Sequence, residues 1–384
     1  MKELAKQRVV IVGGGTGGVM TANRLARLIP QDVRSGSVEI IVINDVTSHL
    51  YQPGLLYVAL DLAFPENFKK PQKQVLLPGV QNLVDPCVHI SLSDREVICQ
   101  SGKKIEYDIL VIATGSVPDF DAIEGFREGA ESFYTYNEAM HLRERIQTFD
   151  QGKLLLIIGV PHKCPVAPLE FIFMLDDKLR KTAKRDQVNL YYTYPIGRLH
   201  SLEHVATWAE NEFERRNISS EIFFNAESID PSRKKVFTLE GEEVDYDLLV
   251  GIPPHKGAKI IRDSKVAEGD GWIPTDRQTL QMKGQQGVYV VGDATDLPIS
   301  KAGSTAHYES EVIAANIAKE LRGEQPVAAY NGKVFCFIEA GLEEATHIEF
   351  DYQNPPTPSI QGPLVHDFKL AFNEMYWLSL RGLV

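Results

Sequence analysis

Cysteine is scarce in this chain: its 384 residues hold only Cys87, Cys99, Cys164 and Cys336. That excludes a disulfide scaffold, and with no CxxC spacing neither a metal site nor a thioredoxin-type motif is expected. Positive charge is also short, with 40 Lys and Arg against 52 Asp and Glu and a net charge of −12. No basic stripe interrupts that balance, so nucleic acid is excluded as a partner. No apolar run approaches the ~18 residues needed to span a bilayer. Residues 1–8 lead directly into an apolar strand and leave no room for a signal peptide, so residence on the cytoplasmic side is expected. In that compartment a disulfide is expected to be catalytic rather than structural.

What is present has an α/β rhythm. Val9-Val10-Ile11-Val12 is the continuous apolar run of a buried parallel strand, Gly13 to Gly18 follow, and residues 19–28 have helical periodicity. Residues 38–43 read as the next strand and complete one βαβ unit. Residues 77–104 alternate as β-meander material, and 109–113 form a strand running into Thr114-Gly115. A second unit opens at 154–159, with a helix predicted over 167–184 and a strand over 188–192. A hairpin and strand follow over 236–250, then a buried strand at 288–293 and a long helix over 305–321. The expected fold is α/β, with two Rossmann-like dinucleotide-binding lobes of three-layer ββα type and a C-terminal strand-plus-helix appendage. Residues 1–115 and 280–325 make the first lobe, 150–255 the second and 326–384 the appendage.

Gly13, Gly15 and Gly18 stand between a predicted strand and a predicted helix, the context in which a GxGxxG carries meaning. The glycines give a tight turn, close approach to a pyrophosphate and close helix–sheet packing, with the phosphate at the helix start by Thr16. Asn44 or Asp45, ending the second strand, is expected to take a ribose hydroxyl. The segment from Tyr107 to Gly115 resembles the YDxLVIATG segment of flavoprotein disulfide reductases. Val288 to Asp293 resembles their VYAxGD segment, whose Asp contacts the FAD ribitol. This resemblance implies FAD, with Thr114, Gly115, Gly292 and Asp293 in its site.

Relatives that use NADH or NADPH carry a second GxGxxG. Here that position reads Gly159-Val160-Pro161-His162-Lys163-Cys164-Pro165, and the prolines supply no N–H to a phosphate. Nicotinamide binding is therefore disfavoured, and a cysteine occupies the turn. The segment from Cys164 to Glu170 resembles the Cys-Pro-x-x-Pro-x-Glu segment of the sulfide:quinone oxidoreductase and flavocytochrome c sulfide dehydrogenase family. Val334 to Glu339 resembles the segment holding that family's second redox cysteine, and Asp296 to Gly303 the loop that brings a lysine, with Ala302, to the flavin. The resemblance implies a Cys164/Cys336 redox pair, Glu170 as acid–base group with Glu339 second to it, and Lys301 at the flavin. Sulfide and a quinone are the implied substrates. Hydrosulfide opens the disulfide and leaves a persulfide and a thiolate. Some members tether FAD through a third cysteine, but residues 116–163 hold none, so non-covalent FAD is expected. His162 and His307 are weaker acid–base candidates, and Cys87 and Cys99 read as structural.

Near the C-terminus Phe368, Phe372 and Met375 share one helical stripe, and the predicted helix spans 366–384. With Lys369 and Arg381 nearby, this suits a helix lying in a membrane interface, and equally one packed on the first lobe. The family resemblance favours peripheral membrane contact and a quinone slot lined by Phe335, Phe337, Phe372 and Tyr376. A homo-oligomer is compatible with the sequence. Competing readings are a type II NADH:quinone oxidoreductase, a soluble sulfide dehydrogenase serving a cytochrome, and a flavin-binding regulatory protein without turnover.

Overall fold

The computed structural model describes residues 6–383; residues 1–5 and 384, assigned above to the first lobe and the last helix, lie outside the described residues. The first lobe is a five-stranded parallel sheet in the order Val288–Val290, Ile109–Ile112, Gln7–Val12, Val38–Asn44, Val80–Val84. Its strands are apolar on both faces because both faces are covered. Val9, Ile11, Ile40 and Val42 pack beneath the helices Thr16–Leu28 and Gly303–Glu320. Val10, Val12, Ile41 and Ile43 pack against the meander Cys87–Ser91, Glu96–Cys99, Lys104–Glu106. This alternation produces the three layers.

The second lobe repeats the plan. Its parallel sheet runs Ser219–Ile222, Val188–Tyr194, Gly152–Ile158, Leu248–Ile252, with a meander over Ala226–Asp230, Lys235–Thr238 and Glu243–Asp245. Strands Ser116–Pro118 and His255–Gly257 pair antiparallel and tie the lobes together. The appendage is the hairpin Val334–Glu339 with Ala345–Phe350, followed by the helix Pro363–Leu380, which opens on a proline at its first turn.

Three expectations are corrected. Val80–Val84, read as meander, is the parallel edge strand beside Val38–Asn44. Among the described residues no strand pairs with its outer side, so half-exposed residues alternate as in an antiparallel ribbon. The helix after Cys164 stops at Lys181, where Ala183 turns left-handed with φ 56°. The final helix begins at Pro363 and ends at Leu380.

Candidate active site

The glycine turn after Gln7–Val12 works by exclusion. Gly13 has φ +114°, and a Cβ on it would collide with Ala113 O, while one on Gly18 would strike Gly13 O. Gly15 has open space around it. Above this turn lies a cleft of about 460 Å³ bordered by Gly13 to Gly17, Asn44 and Asp45, Thr114 and Gly115, Gly292 and Asp293, and Lys301 and Ala302. The helix Thr16–Leu28 starts here, so its first N–H groups face the cleft. The Thr114 hydroxyl, also in the cleft wall, is buried without a partner among the described residues. An open anion-binding turn and an orphaned hydroxyl fit a dinucleotide. Asn44 is buried and donates to Val46 O at 2.8 Å, whereas Asp45 is exposed.

Beneath the turn a neutral chain of hydrogen bonds holds Gly14. Burial pulls His49 down to about 4, so its ring is neutral. Its Nδ1–H donates to Gly14 O at 3.0 Å, and its Nε2 accepts from the Tyr376 hydroxyl at 2.7 Å. That hydroxyl in turn receives the Thr16 hydroxyl at 2.8 Å. The Tyr376 hydroxyl, expected in the quinone slot, is thus committed to His49 and Thr16. Tyr376 is 7% exposed, with its ring tilted against Tyr51 at 4.3 Å between centres, and a buried phenol needs polar partners such as these.

Phe335, Phe337 and Phe372 do come together. Phe335 and Phe337 meet edge to face at 4.9 Å, Phe337 lies 5.7 Å from Phe372, and His347 completes the group. Leu364, Phe368, Phe372, Met375 and Leu378 leave large apolar surfaces exposed along the last helix, and Ile360 ahead of it is 91% exposed. No helix among the described residues is long and apolar enough to cross a membrane.

Cys164, from the second lobe, and Cys336, from the appendage hairpin, flank the same core, both as free thiols. Cys164 is left-handed, with φ 51°, and its N–H donates to Lys301 O at 2.7 Å. Burial pushes its thiol well up, and Glu170 and Cys336 push further. Burial takes Cys336 up to about 11, against a pull from the Ser304 hydroxyl. Glu170 is 4% exposed and forms an ion pair with Lys369 from the last helix, while the Glu339 N–H donates to its Oε1 at 3.0 Å. Burial lowers Lys369, but Glu170, Tyr57 and Glu339 outweigh it and hold the ammonium well above its ordinary range.

The sequence placed Lys369 on a helix suited to a membrane interface or to packing on the first lobe. Lys369 is 8% exposed, and only the long-range fold reveals its partner. Glu339 is fully buried and accepts from Tyr57 at 2.6 Å and His366 at 2.8 Å. Lys301 turns its ammonium onto Asp293 O at 3.1 Å and Thr295 O at 2.7 Å, over the Trp272 ring. His162 is held neutral, near 4, by burial beside Tyr134. His307 lies apart, against Arg24 and Glu311. In the second lobe's turn the Gly159 N–H is committed to Ile252 O and that of Cys164 to Lys301 O, each at 2.7 Å.

The family model described as pyridine nucleotide-disulphide oxidoreductase matches residues 7–315. The chain is 26% identical over 360 residues to the mitochondrial sulfide:quinone oxidoreductase of Mus musculus, covering 91% of this chain and 79% of that protein. The solved sulfide:quinone oxidoreductase of Aquifex aeolicus superposes with a TM-score of 0.85 at 25% identity, covering 98% of this chain and 92% of that one. A type II NADH:quinone oxidoreductase of Staphylococcus aureus is 23% identical over 354 residues, covering 83% and 84%.

Proposed function

Because the chain belongs to the pyridine nucleotide-disulphide oxidoreductase family, we propose that it is a flavoprotein that oxidises sulfide at Cys164 and Cys336 and delivers the electrons to a quinone. The observation that carries this reading is that Cys164 borders the dinucleotide cleft beside the buried Glu170–Lys369 pair, while Cys336 packs on the same core as Cys164. FAD, held without a covalent link, fits that cleft, and when bound it supplies a two-electron relay between sulfur and quinone. Gly13, Gly15 and Gly18 would admit its pyrophosphate, and Asp293, steadied by the Ser116 hydroxyl at 3.2 Å, would hold its ribitol.

The oxidised cysteine pair presents an electrophilic sulfur. Hydrosulfide attacks it, the S–S bond breaks, and one cysteine becomes a persulfide while the other leaves as thiolate. Burial opposes that thiolate, and the Lys369 ammonium favours it at either sulfur. The quinone ring lies among Phe335, Phe337 and Phe372, with the proton-holding chain of Tyr57, Glu339 and His366 behind it. The exposed apolar side of Pro363–Leu380 rests on the membrane surface, the cytoplasmic one in this reading, and so receives the quinone from the lipid.

Anaerobic stopped-flow tests the assignment. Sulfide is expected to bleach the flavin within turnover time, and NADH is not. Rapid bleaching by NADH with none by sulfide would overturn it in favour of the type II dehydrogenase chemistry.

A further inference from the structure

The two cysteines outside the site are not scattered. Cys87 and Cys99 are direct partners in the antiparallel pairing of Cys87–Ser91 with Glu96–Cys99. The Gln100 N–H donates to Pro86 O at 2.8 Å. That bond joins the residues flanking the pair, which makes Cys87 and Cys99 a non-hydrogen-bonded pair. Such pairs have the narrow spacing of about 4.5 Å between Cα atoms. A disulfide accepts Cα separations of about 4.4–6.8 Å with both Cβ atoms on one face, conditions that directly opposed residues favour, and the register shifts only beyond the pair, between Cys87 and His89. Cys99 is 1% exposed within the core of the first lobe, and Cys87 is half-buried at its margin.

We propose that Cys87 and Cys99 are a second dithiol, separate from Cys164 and Cys336, that closes into a cross-strand disulfide by exchange with a small-molecule disulfide. The exposure difference sets the order. The Cys87 sulfur attacks R–S–S–R, forming the Cys87–S–S–R mixed disulfide and releasing RSH. The Cys99 sulfur then attacks Cys87 Sγ, the bond to R breaks, and a second RSH leaves. Two cysteine thiols are oxidised by two electrons, and one R–S–S–R is reduced to two RSH, which carry away both protons. Burial, reinforced by the facing Cys99, raises the Cys87 thiol to about 12, so closure is slow. A slow dithiol records sustained oxidation of its surroundings and does not compete with turnover.

Trypsin separates the two residues, since cleavage after Lys73, Arg95 and Lys103 leaves Cys87 in peptide 74–95 and Cys99 in peptide 96–103. The full-length folded protein is incubated for hours with mixtures of reduced and oxidised glutathione, alkylated and mapped by mass spectrometry. The expected result is one species joining the two peptides, lighter by two hydrogens than their sum, whose share rises with the oxidised fraction. In Cys99→Ser, glutathione is expected to remain trapped on Cys87, while in Cys87→Ser, Cys99 is expected to stay unmodified. Two separately alkylated peptides at every ratio would overturn the proposal. So would a glutathione adduct on Cys87 of the unmutated protein that never resolves into the cross-link. Neither readout involves sulfide, quinone or flavin, so this test can fail while the proposed function stands, and the reverse.

Discussion

The two lobes share a strand-turn-helix frame and differ in what the turn does with its N–H groups. In the first lobe, three glycines leave the turn after Gln7–Val12 open, with nothing around Gly15. In the second, the turn after Gly152–Ile158 spends its N–H groups on Ile252 O and Lys301 O and replaces others with proline. The same frame thus yields a dinucleotide cradle in one case and a cysteine mount in the other. The difference teaches that a parallel sheet with a following helix supplies only a place, and the turn residues decide whether a phosphate or a thiol fills it.

Altering the first turn is expected to have the largest effect. Gly13→Ala puts a Cβ against Ala113 O at a left-handed position, so the purified protein should lose nearly all its flavin, read from absorbance per chain. Full flavin content would mean the cleft is not the cofactor site. Next comes the second turn. Cys164→Ser and Cys336→Ser should each keep flavin but lose sulfide-driven bleaching by roughly a thousandfold or more, with little further loss in the double variant. Wild-type bleaching in either would end the disulfide mechanism.

Where the lobes meet, Lys369→Met strips Glu170 of its cation. Breaking a buried pair costs about 3–5 kcal/mol, and Glu170→Gln added to Lys369→Met should recover part of it in urea unfolding. No recovery would show that the loss comes from packing alone.

Much of this contrast was legible because it is local. The glycine spacing, the Ala113-Thr114-Gly115 and Gly292-Asp293 strand ends, and the prolines around Cys164 each state their chemistry within a few residues. What stayed hidden depends on distant partners. Lys369 lies 199 positions from Glu170, and nothing in its local sequence marks it as buried. Tyr376 shares that helix with Phe372, yet His49 and Thr16 turn it beneath the dinucleotide cleft. Val80–Val84 looked antiparallel because an edge strand of a parallel sheet is half exposed.

The last effect separates the lobes by pH. The first lobe buries a carboxyl under its cofactor loop: Glu309 is fully buried, its Oε2 accepts the Gly292 N–H at 2.5 Å, and its Oε1 has no partner. Burial raises it to about 8, against the pull of the Gly292 N–H. From the unfolded carboxyl value of about 4.5 up to about 8, the folded chain keeps a proton that the unfolded chain has released. The folded state binds more protons there, so Glu309 makes stability fall as pH rises through that window. One proton corresponds to about 1.4 kcal/mol per pH unit. Glu309→Gln keeps an acceptor for Gly292 and cannot ionise, so its urea midpoint should decline less between pH 5 and 8 than that of the unaltered protein. Equal declines would mean that Glu309 already ionises at the lower end of the window, and that the Gly292 loop rests on a carboxylate.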